Sequence, residues 1–199
     1  KDLDAKLGGL HPSDLLILAG RPSMGKTALA TAIAFNVANN YRKAKTASGN
    51  EKIMDGGPVA FFSLEMSAEQ LAARILSEQS EINSSQIRRG MINKDEMVRL
   101  ADVARRLEEV ELYVDDTPAL PISTLAARCR KLKRQHNIQL VVVDYLQLLR
   151  PPSSRSGDNR VQELSEITQG LKALAKELSI PVVALSQLSR AVEQREDKR

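Results

Sequence analysis

The chain has 199 residues, enough for one α/β domain that buries roughly 70% of its unfolded surface without covalent staples, so a single core is expected. One cysteine, Cys129, excludes an intrachain disulfide and a paired-cysteine zinc site, and neither His11 nor His136 stands at metal-ligand spacing. A net charge of +4 permits an anionic partner without demanding one; with 3% aromatic residues and no Trp, nucleic acid would be gripped by its phosphates more than by stacked bases.

Taken in order, short apolar runs alternate with segments of helical period, the signature of a mostly parallel β-sheet flanked by helices on both faces. The first strand is expected at Leu15 to Ala19, followed by a helix over Gly25 to Asn39. Between them "GRPSMGKT" fits the phosphate-binding pattern G-x-x-x-x-G-K-[ST]. There, glycines let backbone amides wrap a phosphate, Lys26 adds a mobile cation, and the Thr27 hydroxyl suits Mg2+. Gly20, Ser23, Gly25, Lys26, Thr27 and Ala28 are therefore the candidate contacts to ATP or another nucleoside triphosphate. A chance glycine turn is the bland alternative, and the flanking strand and helix argue against it.

The polar, glycine-bearing stretch Tyr41 to Pro58 reads as a mobile excursion. A second strand, Val59 to Leu64, ends on Glu65, and a helix follows over Ala68 to Ser77. Ser67 with Gln70 three positions on forms a capping-box pattern, so the helix start needs no help from Glu65. That strand is expected beside the first one, which places Glu65 at the ligand edge. A helix over Lys94 to Val110, a strand at Leu112 to Asp115 and a helix over Ser123 to Gln135 come next. In the last of these, Leu125, Cys129 and Leu132 recur at helical spacing, so the basic run Arg128 to His136 is read as a solvated face. Arg88 and Arg89 could serve a subunit contact, which the sequence leaves undecided.

The strand Leu140 to Asp144 ends on an acid, as a P-loop site requires of a second Mg2+ partner, although Asp is also an ordinary turn residue. Arg150 to Arg160 then mixes Pro, Ser and Gly in a loop, a helix spans Val161 to Leu178, and a strand spans Val182 to Ser186. No apolar run nears the ~20 residues of a membrane helix; the longest, such as "IQLVVVDYLQLL", are broken by polar residues. A soluble, cytoplasmic protein without membrane association is expected.

"GRPSMGKTALA", "FFSLEMS", "VVVDYLQLL" and "PVVALSQLSR" stand in this order, and with them the chain closely resembles the RecA-like motor domain of the DnaB family of replicative DNA helicases. The likeness runs over nearly the whole length, so residues 1–199 are read as one RecA-like P-loop NTPase domain. The resemblance implies a homo-hexameric ring that encircles single-stranded DNA, translocates 5′ to 3′ on nucleoside triphosphate, and works with primase and a helicase loader. It implies that Glu65 is the catalytic glutamate acting on the attacking water. It also implies that Gln187 senses the γ-phosphate and relays its loss towards the DNA loops. Lys26, Thr27 and Asp144 match the family's phosphate and Mg2+ groups.

In the resembling ring the loop after Asp144 faces the central channel, so Arg150, Arg155 and Arg160 are candidate DNA contacts, with a merely solvated loop as the alternative. The excursion Tyr41 to Pro58 is longer than the family pattern. No amino-terminal helical domain, the surface that mainly engages primase, lies in this sequence, and the basic hairpin carrying a finger arginine is expected beyond Arg199. The segment alone is therefore expected to bind nucleotide and hydrolyse it weakly, since such a finger is worth about 10³ to 10⁵ in rate. Two rival readings are a RecA-type recombinase or related ring ATPase, and a module that only binds nucleotide or assembles.

Overall fold

The computed structural model describes residues 7–45, 49, 51–151 and 160–188, the side chain of Arg160 excepted. Five strands form the main sheet: β1 (Leu15–Gly20), β4 (Val59–Ser63), β5 (Leu112–Asp115), β6 (Leu140–Asp144) and β7 (Val182–Gln187). They lie in the order β1-β7-β6-β4-β5, every pair parallel. Because strand side chains alternate between faces, β4 sends Ala60 and Phe62 to one side and Val59 and Phe61 to the other, and both sets are buried. On the first face sit α5 (Ile122–His136) and α6 (Arg160–Leu178), which contribute Leu125, Cys129, Ile167, Leu171 and Leu174. On the second sit α1 (Lys26–Asn39), with Ala30, Ala34 and Ala38 at successive turns, and α2 (Ala68–Ser80), with Leu71. A parallel sheet covered on both faces explains why its strands read as unbroken apolar runs.

The expected elements occur within a few residues of their sequence-based bounds, with α4 at Lys94–Glu109, and the Ser67–Gln70 capping box forms in full. No helix among the described residues is long and apolar enough to cross a membrane.

Four points differ from expectation. The strand carrying Glu65 is not beside β1: β7 and β6 stand between them, and β4 pairs with β6 and β5. Strand order is a non-local property: consecutive strands usually lie side by side, but a crossover can skip positions, and no local pattern records when it does. Second, the excursion Tyr41 to Pro58 contains an antiparallel hairpin, β2 (Arg42–Lys45) with β3 (Glu51–Asp55), apart from the main sheet. Both its strands are polar and largely exposed, so no buried stripe marks them in the sequence. Its base is tight: Gly56 has φ 57°, and a Cβ there would stand 2.3 Å from the Val37 carbonyl oxygen, so only glycine fits. Third, Arg160 opens α6 and does not belong to a loop. Fourth, the sequence reading does not anticipate two short helices: α3 (Ser84–Arg89), capped by Asn83 and closed by a left-handed Gly90, and a 3₁₀ turn at Leu146–Leu148.

Candidate active site

All five main strands point their carboxyl ends the same way, and the segments that leave four of them build one polar cleft of about 380 Å³. After β1 the chain passes through Ser23 at φ 61° and Gly25 at φ 81°, both left-handed, before α1 begins. That helix starts without a side-chain cap and without an acid in its first turn, so its leading amides and positive dipole end suit an anion. Lys26 folds back over the loop, its Nζ donating to the carbonyls of Gly20 (2.8 Å) and Arg21 (2.7 Å). A Cβ on Gly20 would crowd the Lys26 side chain at 3.3 Å.

Pro22, Ser23, Gly25, Lys26 and Thr27 form one wall of the cleft, while Glu65, Arg74, Asp144, Tyr145 and Gln187 complete it. Ala28 instead lines a neighbouring groove of about 900 Å³ between α2 and α3, which shares Arg74 with the cleft. Gly20 contributes through its carbonyl rather than by lining the space.

Asp144 is 2% exposed, and its Oδ2 has no hydrogen-bond partner. Burial pushes its carboxyl above the usual range; the Thr27 hydroxyl pulls it back, the Glu65 carboxylate adds to the rise, and the Arg74 and Lys26 cations oppose it. Burial likewise raises the Tyr145 phenol, reinforced by the charges of Glu65 and Asp144. A buried carboxylate oxygen left without a donor, beside a hydroxyl and a phosphate-binding loop, fits a hard divalent cation. Among the described residues no three His, Cys, Asp or Glu side chains gather as a cage, so such a cation would complete its shell with phosphate and water oxygens.

Glu65 itself is exposed, and the turn that carries it is held on several sides. The Leu64 amide donates to the Asp144 carbonyl (2.8 Å), the Ser63 hydroxyl to the Met66 carbonyl (2.7 Å), and the Ala68 amide to Asp116 Oδ2 (2.9 Å). The first of these joins the ends of β4 and β6, which brings Glu65 to the Asp144 side of the cleft.

Three residues escape the sequence reading. Arg74 sits one turn beyond Gln70 on α2, and nothing in its spacing separates it from a surface arginine. Tyr145 follows Asp144 out of β6. Gln147 reaches across to the end of β7, its Nε2 donating to Ser186 Oγ and to the Gln187 carbonyl, each at 3.0 Å. Within the "DYLQLL" run only the Asp carries a chemical signal in isolation.

Of the candidate DNA residues, Arg150 is the one described in full. Arg150 is exposed at its side chain, while its backbone is fixed by bonds to Leu120 and Ile122 (both 3.1 Å). Arg155 and the side chain of Arg160 lie outside the described residues. The basic run on α5, expected as a solvated face, is exposed at Arg130, Lys131, Arg134 and His136, but three of its cations also have partners within the chain. Arg128 pairs with Asp115, Arg130 grips Glu177 through two bonds (2.6 and 2.8 Å), and Lys133 donates to the Ile138 carbonyl.

Comparison with known proteins bears on this geometry. The model of the DnaB-like helicase C-terminal domain matches residues 1–199. A curated relative, the replicative DNA helicase DnaB of Rickettsia prowazekii, is 57% identical over 198 residues, all of this chain and 40% of that protein. Another, the replicative DNA helicase DnaB of Geobacillus stearothermophilus, is 48% identical over 198 residues, again all of this chain and 40% of that protein. The chain thus spans about 40% of the length of the curated relatives it matches. Among solved structures, a DnaB-like replicative helicase, studied with its interactions with primase, superposes with a TM-score of 0.83 at 31% identity, covering all of this chain and 45% of that one. A second solved chain, an ATPase domain, superposes at 0.84 and 31%, covering all of this chain and 65% of that one. With the family model matched end to end and the fold shared throughout, the chain belongs to the DnaB-like helicase C-terminal domain family.

Proposed function

We propose that residues 1–199 form one motor domain that binds and hydrolyses ATP, or another nucleoside triphosphate, to drive a replicative DNA helicase. The observation that carries this is the convergence in one cleft of a phosphate-binding loop with Glu65, Asp144 and Gln187, each delivered by the end of a different strand. Gly20, Ser23, Gly25 and Ala28 shape the loop and helix start that cradle the phosphates, and Lys26 exchanges the carbonyls of Gly20 and Arg21 for phosphate oxygens. Thr27 and Asp144 would hold Mg2+, which would supply neutralising charge to the phosphates. Glu65 orients the attacking water and accepts its proton. Arg74 and Gln187, which both line the cleft, contact the γ-phosphate, and Gln187 reports its loss towards the DNA-facing segments.

The relatives' names, a replicative DNA helicase and a helicase studied with primase, support a wider reading in which the full protein unwinds the duplex at a replication fork and engages primase. The family resemblance extends that reading to a homo-hexamer that encloses single-stranded DNA, moves 5′ to 3′ in the cytoplasm and engages a loader. Arg150, Arg155 and Arg160 guide the DNA backbone in that assembly, contributing phosphate contacts and hence salt dependence. The family match favours this over a recombinase or a binding module without turnover. Unwinding of a forked duplex by the full protein tests it: wild type should unwind and Lys26→Ala should not. Unwinding by the variant at the wild-type rate would refute the proposal.

A further inference from the structure

The pairing of β6 with β7 ends at Val143 and Ala184, yet β7 runs on to Gln187. Past that point β6 has turned into the 3₁₀ helix Leu146–Leu148, so the backbone of Gln187 loses its strand partner on that side. The side chain of Gln147 takes its place. A primary amide carries the same donor and acceptor as a peptide unit, and this one uses both. Its Nε2 donates to the Gln187 carbonyl (3.0 Å) and to Ser186 Oγ (3.0 Å), and its Oε1 accepts from the Gln187 amide at 3.4 Å. On the other side the next residue is tied to the phosphate loop, for the Leu188 amide donates to the Gly20 carbonyl (3.1 Å) that also holds Lys26.

We infer that Gln147 is a positioning residue that fixes Gln187 against the nucleotide and couples it to the segment leading to Arg150. This rests on the reading of the cleft as a nucleotide site. The connection is short and stiff: Leu146 and Leu149 are buried around Gln147, and Arg150 is bound at both backbone groups, to Leu120 and to Ile122 at the start of α5. A shift of Gln187 when the γ-phosphate leaves therefore moves the 3₁₀ turn through a bonded amide, and the turn moves the base of the candidate DNA segment. In the other direction, DNA held at that segment sets the position of Gln187.

Hydrolysis of ATP with Mg2+ and oligo(dT), measured on the full protein, tests the inference. Gln147→Ala should lower the DNA-stimulated kcat about tenfold, within the usual range of coupling between sites. KM for ATP and the Kd of a fluorescent nucleotide analogue should stay within about twofold. Gln147→Glu, which sets an acceptor against the Gln187 carbonyl, should be impaired to the same degree. Placed on Gln187→Ala, the Gln147 substitution should cost nothing more, because the group it positions is gone. An unchanged kcat, a loss that adds in full to that of Gln187→Ala, or a KM that rises in step with a falling melting temperature would each overturn it. Lys26→Ala run alongside separates the two failures, since wild-type turnover in that variant sinks the nucleotide-site reading itself.

Discussion

Three acidic residues at the carboxyl edge of the sheet hold different electrostatic positions, and each yields its own prediction. Glu65 is exposed, on a turn anchored to the Asp144 carbonyl through the Leu64 amide. Glu65→Gln keeps its size and removes its basicity, so nucleotide affinity should hold while kcat falls by roughly 10² to 10⁴ in the full protein. Equal loss of binding would mark Glu65 as structural. Asp144 is buried, and its carboxyl is pushed above the usual range chiefly by that burial. A carboxyl raised in the folded state contributes stability only below its unfolded value, near 3.9, and loses it as pH rises through the folded value. At neutral pH the charge is thus a cost in the ligand-free protein. Asp144→Asn should raise the ligand-free melting temperature, by roughly 2–4 °C if the cost is about 1 kcal/mol, and should lack the further rise with Mg·ATP that is expected of wild type. The gain should shrink as pH falls towards the ordinary carboxylate range. For Asp115 burial pushes up, but hydrogen bonds from Arg128 and Thr117 outweigh it and leave the carboxyl lowered. Its sign is reversed: the stabilisation is present above the unfolded value and is lost as pH falls through the folded one. Calorimetry should find Asp115→Asn less stable than wild type at pH 7, with the difference fading in acid.

At the scale of elements, α2 links the turn of Glu65 to Arg74, so its start matters twice. The Ser67 hydroxyl accepts from the Gln70 amide while the Gln70 side chain accepts from the Ser67 amide, and Asp116 takes the Ala68 amide. Ser67→Ala should cost about 1 kcal/mol, and Ser67→Asp, another good cap, should recover most of it in thermal unfolding. An unchanged melting temperature in the alanine variant would show that Asp116 alone holds the helix start. This cap is legible because it is local: Ser and Gln three apart carry the whole pattern. The phosphate loop and the apolar strands are legible for the same reason, since each is a contiguous string whose chemistry follows from spacing. What stays hidden is relational. That β7 and β6 lie between β1 and β4 depends on pairings between strands far apart in the chain. Gln147 looks like any polar residue until β7 arrives opposite it. Arg74 becomes a cleft residue only when α2 packs on the face that carries α1.

The molecule as a whole keeps its two ends apart. The residues of the polar cleft collect at the carboxyl ends of the strands, whereas the β2–β3 hairpin joins the C-terminus of α1 to the start of β4, at the opposite edge. Strands of five or six residues separate those edges by roughly 15–20 Å. The hairpin adds no residue to either buried cluster, and its one described ion pair, Lys43 with Glu51 at 3.2 Å, is exposed. A lone two-stranded hairpin has marginal stability of its own, so little of the fold's stability resides there. Its ends are also close, because a Cβ on Gly56 would lie 2.8 Å from the Tyr41 nitrogen. Replacing residues 42–55 by a short Gly-Ser turn should therefore close without strain. ATP turnover of the full protein should stay within about twofold and the melting temperature within a few degrees, the range of surface changes remote from a core. Loss of turnover with an intact melting curve would instead show that the amino edge of the sheet takes part in the cycle, for which the separation of the two edges provides no route.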